Sequence, residues 1–522
     1  MHLSDFDLQQ LDKARLSELT VSQKEVLLEK ALDDLKEARE RLQADSRTSS
    51  RPPSSDAPWS GVSEEPDAEG EPQNAEEGKD SKPEESEAER GDIPEPEKTP
   101  EDEEPKSSSK PGRRPGSPGH SRTQQLEVTE TIEHRPVYCA LCGEALEGCE
   151  FTARTGLYVL DIESPSEPGL AGIQLRHDKH VYGECVCACG HVTRSEPGRC
   201  EAEPMWTAEL SEWRLIGPRL ASLIVCLVQR MRLSRRKVQE FLRDWLGVEL
   251  STAVISQCLI EAGRAVEPLE EPLVEELQQA TLAYVDETPW KESGQLLWLW
   301  VISTATVCLY AIGYRSKEIL INVFGETFAG WLMSDGYQAY RYFSRRLRCW
   351  AHLLRKAHGL KASLSGQARD FGQATLDVMN EAMEAIYRAR EGPPVDLSAA
   401  FQARLAAFRA LCEQHHDASH EKTRALAREF LNDWEAIWQV LAHPHLPLTN
   451  NEAERLLRHW VILRRMSQGT RTEQGSRALA LLASVIETCR KRDVLPWPYL
   501  ASVIAERRKG NPAPPLPAAP MA

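Results

Sequence analysis

From Thr281 to Trp350 the apolar pattern admits few architectures. Thr281–Asp286, Leu296–Ser303 and Thr306–Gly313 read as the strands of a meander, with Trp298 and Trp300 sharing a face. Lys317–Phe324 reads as a helix and Gly330–Ser334 as a fourth strand. A further helix then leads to a fifth strand around Leu347–Trp350. Two acids stand at strand ends in this run. In AYVDETPW (Ala283–Trp290), Asp286 closes the first strand before Glu287, Thr288 and Pro289 break it. Asp335 follows the fourth strand and opens onto Gly336-Tyr337. Such an aspartate commonly just satisfies loop backbone donors, but two of them on neighbouring strands also suit a divalent cation.

A chain of 522 residues is long enough for two or more domains. Its net charge of −17 argues against nucleic acid until it is located. Asp56–Pro105 carries 20 acidic against 4 basic residues, which leaves the rest close to neutral with local basic clusters, and local charge decides partners. The acidic tract has almost nothing to bury and is expected to be disordered. Lys106–Arg122 then becomes a basic, Gly/Pro-rich arm suited to phosphate contacts or to a solvated linker. No N-terminal leader is evident, and no apolar run approaches the roughly 18 residues of a membrane span, so a soluble, cytoplasmic protein is expected. Thirteen cysteines, an odd number without a secretory signal, argue against a disulfide framework.

Taken in order, residues 16–43 lack Pro and Gly and repeat Val21, Leu28, Leu35 and Leu42 every seventh position, a short coiled coil within 1–45. A linker, acidic then basic, spans 46–123. Residues 124–205 contain Cys139-Ala-Leu-Cys142-Gly143 and Cys187-Ala-Cys189-Gly190, two turn-borne thiol pairs. Their spacing suits a structural Zn2+ bound by Cys139, Cys142, Cys187 and Cys189, with Cys185 competing with Cys187. Four thiolates leave no open catalytic position. In 206–270, a helix beginning Ser234-Arg235-Arg236-Lys237, a Gly247 turn and a helix beginning Ser251-Thr252 read as a helix-turn-helix. Arg235, Arg236 and Lys237 would meet DNA phosphates, and Ser251 and Thr252 base edges.

The catalytic region is placed at 271–490, with a helical insertion over 352–447. Three strands, helix, strand, helix, strand is the order of a ribonuclease-H-like sheet, which would set Asp286 beside Asp335. Asn450-Asn451 then opens a helix whose Glu452 and Glu454 compete to be a third acid. The apolar stripe Ala453, Leu456, Leu457 favours Glu454, at the edge of the buried face. Two aspartates and a glutamate can hold a pair of Mg2+ or Mn2+ ions for phosphoryl displacement without a protein nucleophile. Arg455, Arg458, Arg464, Arg465 and Arg471 follow closely and would suit a DNA backbone. Residues 491–522 form a C-terminal segment whose Pro-rich end, from Gly510, is expected to be a disordered tail.

These pieces together resemble the IS66 family of bacterial insertion-sequence transposases. The resemblance is carried by SSRPPSSD (Ser49–Asp56), PGRRPGSPGH, the cysteine pairs, LSRRKVQEFL with LSTAVIS, YVDETPW, SDGYQAY, CWAHLLRK (Cys349–Lys356), NNEAERLLR (Asn450–Arg458) and ETCRKRDVLPWPYL. It implies a DDE triad of Asp286, Asp335 and Glu454, a ribonuclease-H-like fold and magnesium-dependent strand transfer on double-stranded DNA. It also implies a homo-oligomer working at the bacterial nucleoid, with accessory proteins of the same element. The chain departs from the family pattern at Thr449, where Asp is common, in its C-x-C second pair, and in its long acidic tract. A catalytically silent DNA-binding regulator, or a metal-dependent nuclease of the same fold, are the alternative readings.

Overall fold

The N-terminal heptad stripe forms helix α1 (Val21–Gln43). It opens on a capping box, in which Thr20 Oγ1 accepts from the Gln23 amide and the Gln23 side chain accepts from the Thr20 amide. Val21, Leu28, Leu32 and Leu35 all stand exposed on α1. A computed structural model describes residues 19–43, 126–163, 172–201 and 206–519; the acidic tract and the basic arm lie outside the described residues.

Beyond Leu126 the architecture is mixed α and β, with two sheets. The first contains β1 (Glu130–His134), β2 (Phe151–Glu163), β3 (Gln174–Val186) and β4 (Val192–Arg194). β3 pairs with β1 in parallel and with β2 and β4 in antiparallel fashion. β2 and β3 form a long two-stranded ribbon. Next come α2 (Pro218–Val225), α3 (Arg235–Leu246), α4 (Thr252–Val266) and α5 (Glu270–Gln278). Ser234 and Ser251 cap α3 and α4 by accepting the Lys237 and Val254 amides, and Gly247 ends α3 at φ 61°. Only the first turn of α4 reaches solvent. From Cys258 to Val266 it is mostly buried, and at Gly263 a Cβ would lie 2.5 Å from that of Ala478.

The second sheet joins β5 (Leu282–Glu292), β6 (Gln295–Ser303), β7 (Cys308–Gly313), β8 (Trp331–Ser334) and β9 (Arg346–Arg348) in the order β7-β6-β5-β8-β9. The first three are antiparallel; β8 and β9 run parallel to β5. Helix α6 (Glu318–Phe324) and a short 3-10 stretch (Gln338–Tyr342) make the crossovers. One expectation is corrected here. Glu287, Thr288 and Pro289 do not end β5, which runs on to Glu292 along β6. Pro289 is tolerated because β8 pairs only as far as Tyr284, leaving that side of β5 without a ladder needing its N–H.

Alternate residues of β5 enter different cores. Ala283 and Val285 join α4, α5 and α6, whereas Trp290 packs with Ala453, Leu457 and Trp460 of α12 (Asn451–Ser467). Helix α13 (Glu473–Lys491) covers edge strand β7 and satisfies its backbone with side chains. Ser484 Oγ accepts from Tyr310 N at 2.8 Å, and Thr488 Oγ1 accepts from Cys308 N at 3.1 Å. At the other edge lies the insertion, α7 (Trp350–Lys361), α8 (Gly366–Arg390), α9 (Ser398–Gln414), α10 (Glu421–Asn432) and α11 (Trp434–Ala442), whose core also takes in Met333 of β8 and Leu347 of β9.

Helix α14 (Pro496–Arg508) closes the first core. The expected disordered tail is also corrected, since residues 511–519 are laid against the fold. Ala513 and Leu516 pack on the core, Tyr499 donates to Pro514 O at 3.0 Å, and Arg492 donates to Pro517 O. A proline-rich strand has few amides to satisfy but keeps its carbonyls, which these donors meet. No helix among the described residues is long and apolar enough to cross a membrane.

Candidate active site

The parallel register Leu282↔Trp331, Ala283↔Leu332, Tyr284↔Met333, carried on by two residues, sets Asp335 opposite Asp286 on the adjacent chain. Neighbouring strands lie only about 4.8 Å apart. Asp286 Oδ1 accepts from the Glu287 amide and Asp335 Oδ1 from the Tyr337 amide, each at 2.9 Å. Asp286 shares the parity of Trp290, so it faces the α12 layer, where Glu454 sits in the first turn. Burial pushes the Asp286 carboxyl well above the ordinary carboxylate range, and the charges of Asp335, Glu287 and Glu454 push it the same way. Asp335 and Glu454 are therefore each within electrostatic reach of Asp286.

Glu452 and Glu454 part company. Burial would raise the Glu452 carboxyl, but Lys491 Nζ at 2.6 Å and Arg455 hold it below its usual value. Glu454 instead faces α7, with Oε1 3.6 Å from His352 Nδ1 and Oε2 3.8 Å from Arg355. Its Oε1 is buried without a hydrogen-bond partner. That orphaned oxygen, with ligand atoms of Cys349 and His352 within 4.8 Å of it, could face a divalent cation.

Several groups at this centre escaped the sequence reading. Asn450 is fully buried, its amide Nδ2 donating to Val285 O at 2.8 Å while its backbone N–H points at Cys349 Sγ, 3.3 Å away. The start of α12 is thereby tied to the strand position next to Asp286. On the other face of β5, Glu287 is held by Arg315 at 2.7 Å and by the Tyr340 hydroxyl. The Arg315 guanidinium lies between the rings of Trp298 and Tyr337, 4.1 and 4.0 Å from their centroids. Arg348, also fully buried, packs under Gly336, where a Cβ would meet its guanidinium at 2.8 Å. Burial pushes the His352 imidazole below its ordinary value against the opposing field of Glu454. The i, i+3 pair His352 and Arg355, in a helix directly after a strand, was the available sequence signal.

The thiol pairs do converge. Cys139, Cys142, Cys187 and Cys189 bring their sulfurs within 4.8 Å of one another, without Cys185, which stays in β3. Cys139 Sγ is 3.7 Å from Cys189 Sγ, and Cys142 Sγ is 3.6 Å from Cys187 Sγ. These match the roughly 3.8 Å edge of a tetrahedron with Zn–S near 2.3 Å. The Cys142 backbone N–H pulls the Cys139 thiol down to about 6, towards the thiolate that a metal needs.

The basic residues are less concentrated. Arg235, Arg236 and Lys237 are exposed along the first turn of α3, with Lys237 3.1 Å from Glu240. Ser251 is exposed and Thr252 half-buried. Arg458 and Arg465 lie on the outer face of α12, and Arg455 is exposed beside Glu452. Arg464 turns inward, donating to Thr288 Oγ1 at 2.9 Å and to Pro289 O.

A family model described as "Transposase IS66 family" matches residues 214–478, a span containing all three acids. Three proteins of Sinorhizobium fredii (strain NBRC 101917 / NGR234), each described as uncharacterized, are similar in sequence. The chain is 26% identical to y4qI over 52% of its length and 56% of that protein. It is 28% identical to y4jO over 32% of its length and 50% of that protein, and 31% identical to y4hP over 30% and 31%. The chain thus spans about half or less of the curated relatives it matches.

Two outcomes are expected. Metal analysis of the purified protein should give about one zinc per chain, lost when Cys139→Ser and Cys142→Ser are combined; a metal-free wild type contradicts the tetrathiolate site. Because the Asp286 pKa is raised on folding, its contribution is full below about pH 4 and is lost as pH rises through the folded value. In EDTA, the melting temperature of Asp286→Asn minus that of wild type should therefore grow from pH 4 to pH 8, and a flat difference would refute the repulsive cluster.

Proposed function

Because this chain belongs to the IS66 transposase family, we propose that it binds the ends of an insertion sequence and catalyses metal-dependent cleavage and strand transfer of DNA. The observation that carries the proposal is the electrostatic grouping of Asp286, Asp335 and Glu454, drawn from two adjacent strands and a later helix. The sheet order β7-β6-β5-β8-β9 supports reading the region as ribonuclease-H-like, with the insertion entering after β9. Bound Mg2+ or Mn2+ would lower the pKa of an attacking water or 3′-hydroxyl and neutralise the leaving oxygen. The chain's own part is to position. Asp286, Asp335 and Glu454 are assigned as ligands, Asn450 fixes α12 against β5, and Arg355 balances the outer oxygen of Glu454.

DNA contact is assigned to Arg235, Arg236 and Lys237 at the start of α3, to Ser251 and Thr252 at the exposed start of α4, and to Arg455, Arg458 and Arg465 along α12. Arg464 acts more as a brace for β5, given its bonds to Thr288 and Pro289. The exposed stripe of α1 is assigned to pairing with a second copy of the chain, since burying Val21, Leu28, Leu32 and Leu35 needs a like helix. Accessory proteins of the element belong to the same reading.

A strand-transfer assay with end DNA and Mg2+ or Mn2+ tests the chemistry. Asp286→Asn, Asp335→Asn and Glu454→Gln should each lower joining beyond the roughly 10–100-fold typical of losing an outer-shell partner. Joining that survives in these variants overturns the assignment; cleavage without joining would instead mark a nuclease. Removing residues 1–45 should lower the mass measured by light scattering, and an unchanged mass would discard the α1 pairing.

A further inference from the structure

The carboxylate of Glu454 treats its two oxygens differently. Oε2 faces the guanidinium of Arg355, whereas Oε1 faces the imidazole of His352. Both His352 Nδ1 and Glu454 Oε1 are buried, and neither has a hydrogen-bond partner. Their separation of 3.6 Å is too long for a hydrogen bond between them. Buried polar atoms are rarely left in this state, so an orphaned pair that faces itself asks what stands between. Two ligands about 2.1 Å from one ion lie roughly 3.0–3.5 Å apart, so the observed gap needs little closing to share a cation. Cys349 Sγ lies within 4.8 Å of both groups, but it already faces the Asn450 amide and is buried as part of the helix start.

We propose that His352, through Nδ1, ligates the same divalent ion as Glu454. This rests on the metal-dependent reading above and deepens it, because it adds a nitrogen to an otherwise all-carboxylate set. The two ligands come from different elements. His352 stands in the first turn of α7, straight after β9, and Glu454 in the first turn of α12, after the whole insertion. Both helix starts are pinned to the sheet and to each other, by Asn450 on Val285 and by the Trp350 amide on Leu448 O at 2.8 Å. The insertion thus leaves and rejoins the sheet at the two ligands of one ion. An imidazole ligand also changes which metal is preferred, since nitrogen suits Mn2+ better than Mg2+, which favours oxygen and water.

The test uses the full-length, zinc-loaded protein without DNA. Mn2+ affinity is read from the electron paramagnetic resonance of free Mn2+, and Mg2+ affinity by competition. His352→Ala should weaken Mn2+ binding by about 10–100-fold and Mg2+ binding less, so the preference for Mn2+ shrinks. Unchanged Mn2+ affinity, or equal loss of both ions, overturns the proposal and leaves His352 a positioning partner of Glu454. Should His352→Ala fail to fold, the wild type still decides. Electron spin echo spectra of bound Mn2+ should show coupling to a nitrogen that disappears in His352→Gln, and no nitrogen coupling overturns the proposal. Loss of Mn2+ in Glu454→Gln and Asp286→Asn but not in His352→Ala sinks this inference alone. Retention in all of them sinks the metal-dependent reading with it.

Discussion

Like charges held one strand spacing apart are the constraint around which the second sheet and its helices are arranged. The parallel pairing of β5 with β8 fixes Asp286 beside Asp335, and α12 lowers Glu454 over them. Left alone, the arrangement opposes folding, because burial and the charges of Asp335, Glu287 and Glu454 raise the cost of ionising Asp286. The fold accepts that cost with firm local anchors, namely the Glu287 and Tyr337 amides on the two aspartates and Asn450 on Val285.

Surrounding charge is arranged so that the insertion and the sheet hold each other. Asp433, buried between α10 and α11, receives Arg341 at 2.9 Å, Arg346 at 2.8 Å and Arg348 at 3.1 Å. Glu429 on α10 takes Arg348 and, at 2.6 Å, Lys356 of α7. Breaking one partner of such a network leaves a buried charge uncompensated, which costs far more than a surface pair. Arg348 also supports Gly336, so the turn carrying Asp335 rests on a side chain whose charge is balanced from within the insertion. The five helices of the insertion, Trp350 to Ala442, are in this way tied to the turn that carries Asp335. On the opposite face, Arg315 between Trp298 and Tyr337 performs the same service through Glu287.

Much of this was legible in the residues. Strand-length apolar runs gave the order of β5 to β9, serine caps gave α3 and α4, and paired cysteines gave the sulfur cluster, because each signal is local. The stripe Ala453, Leu456, Leu457 pointed to Glu454 rather than Glu452, and Glu452 is engaged by Lys491. Other features were not legible. Pro289 looks like a strand breaker until it is known that β8 stops short of it. The proline-rich tail looks disordered until Tyr499 and Arg492 supply donors from elsewhere in the chain. The roles of His352, Asn450 and Arg348 were not legible even where the residue sits in a quoted motif, since their partners lie some 80 to 165 residues away.

By itself the sequence determined the kinds of element, their order and the thiol pairs, because period, capping and ligand chemistry are written over a few neighbouring residues. Only the tertiary structure decided which acids share a field, which sulfur of the Cys185–Cys189 stretch joins the cluster, and how the insertion is anchored. Those outcomes depend on register and on burial, and both are set by contacts between segments that the chain keeps far apart.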